Sequence, residues 1–196
     1  MDLSLAAFTS LVLAVGLGRV IELVISQRRR RALAARGARP VDEPHFRAMV
    51  LLHTGILTGA LAEAWLTRRP LIPALALVAL AMVLAATALR WWVIATLGPH
   101  WNVRIMSSTS LGVVTSGPFR WIRHPNYVAV FVELAALPLV HGAYLTAAAG
   151  AVAHVWVLHH RIRAEEAVLH ADPAYRAAMA AKPRFIPWPW SSRAAR

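Results

Sequence analysis

Residues 71–97 read LIPALALVALAMVLAATALRWWVIATL, an apolar stretch whose one charged residue is Arg90. About 20 apolar residues are enough for an α-helix to cross a hydrocarbon layer of about 30 Å. The stretch therefore predicts a membrane-spanning helix that ends near Gly98 and Pro99. Of the 196 residues, 58% are hydrophobic and 15% are charged, whereas soluble domains are about half apolar and a quarter charged. A soluble globular enzyme is therefore not expected.

Further apolar runs lie on both sides of this stretch. They are Leu3 to Ile25, Phe46 to Leu66, Pro125 to about Val140, and Tyr144 to about His160. We predict an all-α integral membrane protein with about five transmembrane helices and a cofactor pocket at its cytosolic face. Residues 1–196 are expected to form one domain, in which 1–97 are a three-helix scaffold and 98–187 hold the candidate functional segments.

The basic residues lie mainly between the apolar runs. Residues 28–45 have the composition of a loop, and residues 98–124 form a long polar loop rich in Ser, Thr, Gly and Pro. If the apolar runs cross the membrane in turn, residues 26–47, 98–124 and 161–196 lie on one side and hold 17 Lys or Arg. The other side holds two, Arg68 and Arg69. The positive-inside rule then predicts an outside N-terminus and a cytosolic C-terminus. Because orientation explains the net charge of +12, no nucleic-acid partner is expected, and the Arg and Ala bias suggests a bacterial inner membrane.

The residue inventory excludes several chemistries. The chain has no cysteine, which excludes disulfides, thiolate metal sites and catalytic thiols. His154, His159 and His160 lack the spacing of a zinc motif, so no metal is predicted. Phosphate-binding glycine motifs and a hydrolase nucleophile elbow are also missing from the sequence.

Three features near the long loop could support chemistry. Gly117 to Tyr127, GPFRWIRHPNY, ends at a helix start whose free N–H groups suit an anion, although interfacial anchoring explains the composition equally well. Glu133 lies in the apolar part of that helix and is either functional or a buried structural group. Arg161 and Glu165, four residues apart, share a helix face. They are either a functional pair or a solvated ion pair. Arg19 and Glu22, three residues apart, could likewise pair on their helix.

The order of these segments resembles the isoprenylcysteine carboxyl methyltransferase family, whose members are membrane enzymes that use S-adenosylmethionine. The resemblance covers about residues 98–187 and rests on TSGPFRWIRHPNY at 115–127, RIRAEE at 161–166 and PRFIP at 183–187. The segment HPNY followed by Glu133, with the ending RFIP, is similar to bacterial relatives that O-methylate alkylpyrones or alkylresorcinols.

The resemblance implies site residues position by position. Cofactor contacts would fall on Arg104, Leu111, Gly112, Val113, Val114, Phe119, His124, Pro125, Asn126, Tyr127 and Glu165. Arg161 would lie on the substrate side, and Glu133 or His124 would act as general base if the acceptor is a phenol. Leu111 replaces a histidine of the eukaryotic enzymes, so only a backbone contact is expected there.

We therefore expect an S-adenosylmethionine-dependent O-methyltransferase that takes a lipophilic acceptor from the bilayer and contacts membrane lipid. A long-chain polyketide ring or an isoprenylcysteine-like carboxylate is the expected acceptor. A phospholipid amine N-methyltransferase is an alternative within enzymes. A non-catalytic membrane scaffold is another, because Ala129 stands where the family usually has glycine.

Overall fold

The structure, a computed structural model, describes residues 3–41, 43, 45–107 and 112–187. Its α-helices are α1 (Leu3–Ala35), α2 (Phe46–Thr67), α3 (Pro73–Leu97), α4 (Pro125–Ala136), α5 (Tyr144–Leu169) and α6 (Pro173–Met179). Short 3-10 turns cover Gly98–His100, Gly117–Arg120 and Leu137–His141. Two short strands, β1 (Arg39–Pro40) and β2 (Met106–Ser107), pair antiparallel.

The prediction of an all-helical membrane protein is confirmed. Among the described residues, α1, α2 and the segment Pro73–His100 are each long and apolar enough to cross a membrane. Pro125–His141 is a shorter apolar helix, and α5 combines an apolar first half with a charged second half. Gly142 ends the turn after α4 in the left-handed conformation, with φ of 66°, as expected for a glycine at a helix end.

One helix is longer than the sequence indicated. Residues 28–45 were predicted to be a loop, but α1 continues to Ala35, because arginine is a good helix former and residues 28–36 contain no Gly or Pro. The last apolar run was predicted to end near His160 with its helix continuing through Arg161 and Glu165, and α5 reaches Leu169. Ala, Glu and Arg favour the helix there, and it ends before the Asp172 cap of α6.

Helices α2 and α5 run antiparallel in close contact. The carboxylate of Glu63 near the end of α2 accepts hydrogen bonds from the backbone N–H groups of Leu145 and Thr146 at the start of α5. One turn further along, Gly150 packs so closely on Ile56 that an added Cβ would lie 2.9 Å from that side chain. These contacts fix the register between the two helices.

An apolar core fills one end of the bundle, and polar segments cover the other. The core packs Leu5, Phe8, Val12, Ala60, Ala64, Val83, Ala136, Leu137 and Ala143 together. We call the opposite end, which holds the start of α4 and the second half of α5, the polar end. There the side chain of Ser26 donates to Asn102 at 2.8 Å and accepts from the backbone N–H of Val103 at 3.0 Å. The part of α1 around Ser26 therefore anchors the long loop.

Candidate active site

A pocket of about 220 Å³ lies among α1–α5 and reaches the polar end. Eight residues that the sequence analysis selected line it: Arg104, Phe119, His124, Pro125, Asn126, Tyr127, Arg161 and Glu165. The pocket extends inward to His53 of α2 and His154 of α5. We call the polar part of the pocket around Tyr127, Arg161 and Glu165 the mouth. The pocket therefore joins this mouth to the space between the membrane-spanning helices.

Tyr127 connects the two charged residues of the mouth. Its hydroxyl donates a hydrogen bond to Glu165 Oε2 at 2.5 Å and accepts one from Arg161 Nε at 3.1 Å. Pro125 occupies the first turn of α4, where its missing N–H costs nothing, so Tyr127 lies one turn into the helix and faces α5. Arg161 and Glu165 thus meet at one phenol rather than forming a simple solvated pair.

Arg161 is also bonded to the loop segments that cover the pocket. Its Nη1 donates to Glu43 Oε2 at 2.9 Å, and its Nη2 donates to the carbonyl of Val103. Glu43 in turn accepts a hydrogen bond from the backbone N–H of Ile105 at 2.7 Å. Arg161 therefore holds the segments around Glu43 and Val103 against α5 while its Nε side lines the pocket.

His124 is held from behind by Glu166. Its Nε2 lies 3.0 Å from Glu166 Oε1, whereas its Nδ1 lies 3.9 Å from Glu165 Oε2 on the pocket side. Glu166 also accepts from Arg184, at 3.0 Å from Nε to Oε1. The backbone N–H of His124 donates to the carbonyl of Arg184 at 3.0 Å, so the segment around Arg184 fixes this histidine from two sides.

The charge of Glu166 is stabilised by its neighbours. Burial raises the pKa of this carboxyl, but hydrogen bonds from Arg184 and His124 and the charge of Arg123 outweigh burial and lower the pKa to about 2. Glu166 is therefore a carboxylate at neutral pH and can fix the orientation of the His124 ring.

Arg104 and Phe119 line the mouth on the loop side. The guanidinium of Arg104 lies over the ring of Phe46, 4.2 Å from its centre, in a cation–π contact. Phe119 lines the pocket, and its carbonyl accepts a hydrogen bond from Lys182 Nζ at 2.7 Å. Gly117 precedes it with φ of 54° and packs against Thr96, so closely that an added Cβ would lie 2.4 Å from the Thr96 hydroxyl.

A buried network of charges underlies the pocket. The predicted pairing of Arg19 with Glu22 is confirmed, with 3.1 Å between Nη1 and Oε2. Glu22 is also bonded by Arg90 of α3, and Arg19 is paired with Glu133 of α4. The network places charges of opposite sign next to each other, which reduces the cost of burying them.

Glu133 lies beneath the pocket and does not line it. Its Oε1 accepts a hydrogen bond from Thr87 at 2.6 Å, and Arg19 occupies its other oxygen. Thr87 and Arg19 are thus the partners of Glu133, and the sequence alone did not identify them. A contact with the acceptor oxygen would require Glu133 to leave both, so its role as general base stays a prediction without geometric support.

The loop before Gly117 lies partly outside the described residues. Leu111 is one of the residues that the structure does not describe. Gly112, Val113 and Val114 are described, with Gly112 at φ of 70°, but they are not among the residues that line the pocket. Their predicted cofactor contacts therefore stay predictions.

Several pocket residues were not predicted from sequence to be site residues. They are Arg90, Trp101, Asn102, His53 and His154, together with Arg19 and Glu22, which the sequence predicted only as a pair on their helix. An ionisable residue inside an apolar run is the one sequence feature that marks Arg90 and His53. In the part of the chain that the structure describes, no three His, Asp or Glu side chains come together as a metal site.

The fold and this pocket define a class, an all-helical integral membrane protein with a polar site among its helices. Residues 78–171 match the model of the Isoprenylcysteine carboxyl methyltransferase (ICMT) family. This segment, which contains Arg90, His124, Tyr127, Arg161 and Glu165, is thus similar to the ICMT family.

Similar whole chains extend the comparison beyond that segment. "Uncharacterized protein YpbQ" of Bacillus subtilis (strain 168) is 28% identical over 152 residues, which are 77% of this chain and 89% of that protein. An "Uncharacterized protein" of Haemophilus influenzae (strain ATCC 51907 / DSM 11121 / KW20 / Rd) is 29% identical over 153 residues, 77% of this chain and 88% of the relative.

A solved structure is similar in fold. The eukaryotic intramembrane Ras methyltransferase ICMT superposes with a TM-score of 0.55 and 21% sequence identity over 76% of this chain. The match spans 54% of that protein, so this chain corresponds to about half of its length. The likeness supports a shared arrangement of membrane helices.

Proposed function

We propose that this protein transfers a methyl group from S-adenosylmethionine to an oxygen of a lipophilic acceptor. A long-chain polyketide ring, an alkylpyrone or alkylresorcinol, is the favoured acceptor, and an isoprenylcysteine-like carboxylate is the second choice. The observation that carries the proposal is the single pocket that joins the Tyr127, Arg161 and Glu165 mouth to the space between the membrane helices.

The polar groups of the mouth fit a zwitterionic cofactor. When bound, S-adenosylmethionine supplies an electrophilic methyl group on a sulfonium. Glu165, with 30% of its side chain exposed, can accept hydrogen bonds from hydroxyl or amino groups. The buried Arg123 Nε lines the same pocket and has no hydrogen-bond partner among the described residues, so it can donate to a carboxylate. The start of α4 adds its positive dipole end nearby.

The protein residues contribute mainly position and exclusion of water. Tyr127 and Arg161 fix Glu165 from one side, and Glu166 fixes His124 from the other. Alignment of two reacting groups in a closed site accounts for a large part of the catalysis available to a transfer reaction. A carboxylate or ionised enol needs no base, whereas a phenol does. Of the two sequence-predicted bases, His124 lines the pocket and Glu133 does not, which favours His124.

The charge of the lining argues against an amine acceptor. Among the described residues, five arginines and two glutamates line the pocket. Four of these arginines are paired with glutamates, whereas Arg104 lies over the ring of Phe46. An anionic or acidic oxygen beside Arg104 would be stabilised, and an amine would be disfavoured there. The phospholipid amine reaction is therefore ranked below O-methylation.

The proposal is tested by methyl transfer from methyl-labelled S-adenosylmethionine with the purified full chain in detergent. An alkylpyrone, an alkylresorcinol, a prenylcysteine analogue and phosphatidylethanolamine are offered in parallel. Label on a ring oxygen is the expected result, and label on the prenylcysteine carboxylate would select the second choice. Label on the phospholipid amine, or on none of them while S-adenosylhomocysteine binds, would contradict the proposal.

A further inference from the structure

Two histidines face each other at the inner end of the pocket. The contacts of Glu63 with Thr146 and of Ile56 with Gly150 set the register of α2 against α5. Continuing that antiparallel register by one turn brings His53 of α2 opposite His154 of α5. Their ring centres are 5.1 Å apart, with one ring edge-on to the other.

Both imidazoles keep a buried nitrogen without a partner. His53 Nε2 and His154 Nε2 are shielded from solvent and have no hydrogen-bond partner among the described residues. His154 is 1% exposed, and both residues line the pocket. A buried polar atom without a partner is unfavourable, so a ligand that supplies a partner here gains affinity.

The pair lies in line with the polar mouth. His154, Leu158, Arg161 and Glu165 all line the pocket from one face of α5, and an α-helix rises 1.5 Å per residue, so His154 and Glu165 are about 16 Å apart along the axis. The space between them is bounded by Leu158 and Val130. With the cofactor held at the mouth, an acceptor further inward could place its reacting oxygen towards the cofactor and a second oxygen towards the histidines.

We propose that His53 and His154 bind a second oxygen of the acceptor, a hydroxyl other than the oxygen that receives the methyl group. This inference rests on the proposed function and narrows its substrate class to lipophilic acceptors with two oxygen substituents. A hydroxyl suits the pair because it donates and accepts at once, so it can donate to one imidazole and accept from the other when the two rings are in opposite tautomers.

The test compares two ligands that differ in one oxygen. Calorimetry with the full chain in detergent measures the Kd of 5-pentadecylresorcinol and of 3-pentadecylphenol, which share the same tail. We expect the resorcinol to bind about tenfold more tightly, the effect of one buried hydrogen bond. His154→Leu should reduce this ratio to about one. His154→Gln, which keeps a polar group at a similar distance from the backbone, should preserve most of it.

Matched controls separate this effect from a general loss of structure. His159→Leu changes a histidine of the same helix that is exposed and does not line the pocket, so the ratio should stay at its original value. If His154→Leu unfolds, His53→Leu provides the same comparison from α2. Equal binding of the two ligands by the original chain, or an unchanged ratio in a folded His154→Leu variant, would overturn the inference.

Methyl transfer is measured on the same preparations, so the two proposals fail in different ways. Transfer to both ligands with no oxygen-dependent affinity would leave the proposed function standing and remove the histidine subsite. A preference for the resorcinol that depends on His154, without any transfer of label, would support the subsite and contradict the methyltransferase proposal.

Discussion

Tyr127 is the residue on which the geometry of the mouth depends. Its hydroxyl lies between a guanidinium and a carboxylate, Arg161 and Glu165. Because the hydroxyl donates to one and accepts from the other, both its proton and its lone pair are used. Tyr127 therefore keeps Glu165 in one orientation, which is what a binding carboxylate requires.

The role of Glu165 can be measured by cofactor affinity. Glu165→Ala should weaken binding of S-adenosylhomocysteine by about 10- to 100-fold, because charge-assisted hydrogen bonds contribute about 1.5–3 kcal/mol. Isothermal calorimetry on the detergent-purified variant checks this. Arg163→Ala, an exposed position two residues away that does not line the pocket, should bind like the original chain. Unchanged affinity in Glu165→Ala would remove this residue from the cofactor site.

Arg161 should affect turnover more than cofactor affinity, and it should also affect stability. Arg161→Ala leaves Glu43, with 4% of its side chain exposed, without its partner, and an unpaired buried charge costs about 3–5 kcal/mol. The double variant Arg161→Ala with Glu43→Gln should recover most of the lost Tm but not the turnover. Recovery of both would show that Arg161 acts only through the fold.

At the scale of elements, the start of α4 is built by three separate parts of the chain. The loop turn at Gly117–Arg120 leads into it, α5 supplies Glu166, and residues 183–187 cover it through the carbonyls of Pro183 and Arg184. The backbone N–H of Arg123 donates to Pro183 at 2.9 Å. The last described segment thus belongs to the site.

The contact of residues 183–187 with the start of α4 should depend on pH, because Arg184 is bonded to Glu166. The pKa of its carboxyl falls from 4.5 to about 2 in the folded protein, so its stabilisation is complete above about 4.5 and is lost as the pH falls towards 2. Amide hydrogen exchange of residues 121–128, corrected for the intrinsic rate, should show protection from residues 183–187 lost in that window. Arg184→Ala should lose the protection already at neutral pH, and protection that is constant down to pH 2 would contradict the assignment.

Local sequence features predicted the elements better than their lengths. Apolar runs located α1 to α5. The charged extension of α1 was missed because its polarity suggested a loop, although arginine is a good helix former. A helix can continue beyond the membrane, and hydropathy predicts only where the apolar part of the helix ends.

The site was predictable where its residues are close in sequence. Local sequence patterns indicated HPNY at 124–127 and the pair Arg161 and Glu165. The contact that Arg161 and Glu165 share at Tyr127 depends on the packing of α4 on α5, which these patterns do not show. The contributions of Glu43, His53 and Arg90 depend on the register between helices far apart in the chain. Local patterns carry little information about that register.

At the scale of the whole molecule, the distribution of arginine predicts the orientation. The segment at residues 68–72 should face the outside and α6 the cytosol. Because the chain has no cysteine, single Pro70→Cys and Ala177→Cys variants, both at exposed positions, report this cleanly. A membrane-impermeant maleimide should label residue 70 in intact cells and residue 177 only after permeabilisation. The reverse pattern would contradict the predicted orientation.

The bundle as a whole joins a stable apolar end to a polar end that holds the chemistry. The core around Phe8, Ala60 and Leu137 fixes the helices at one end. The other end keeps a pocket open among the same helices, lined by paired charges. Because the apolar core packs the helices together, the polar residues of the pocket can be spaced for binding.

In the proposed function, one pocket holds both the cofactor and the acceptor. The decisive measurement is an experimental structure of the full chain in lipid with S-adenosylhomocysteine and an alkylresorcinol. We expect the cofactor against Glu165, Tyr127 and His124, and the acceptor between it and His154. Cofactor density elsewhere on the protein, or an acceptor separated from it by the α4 and α5 helices, would contradict the proposed function.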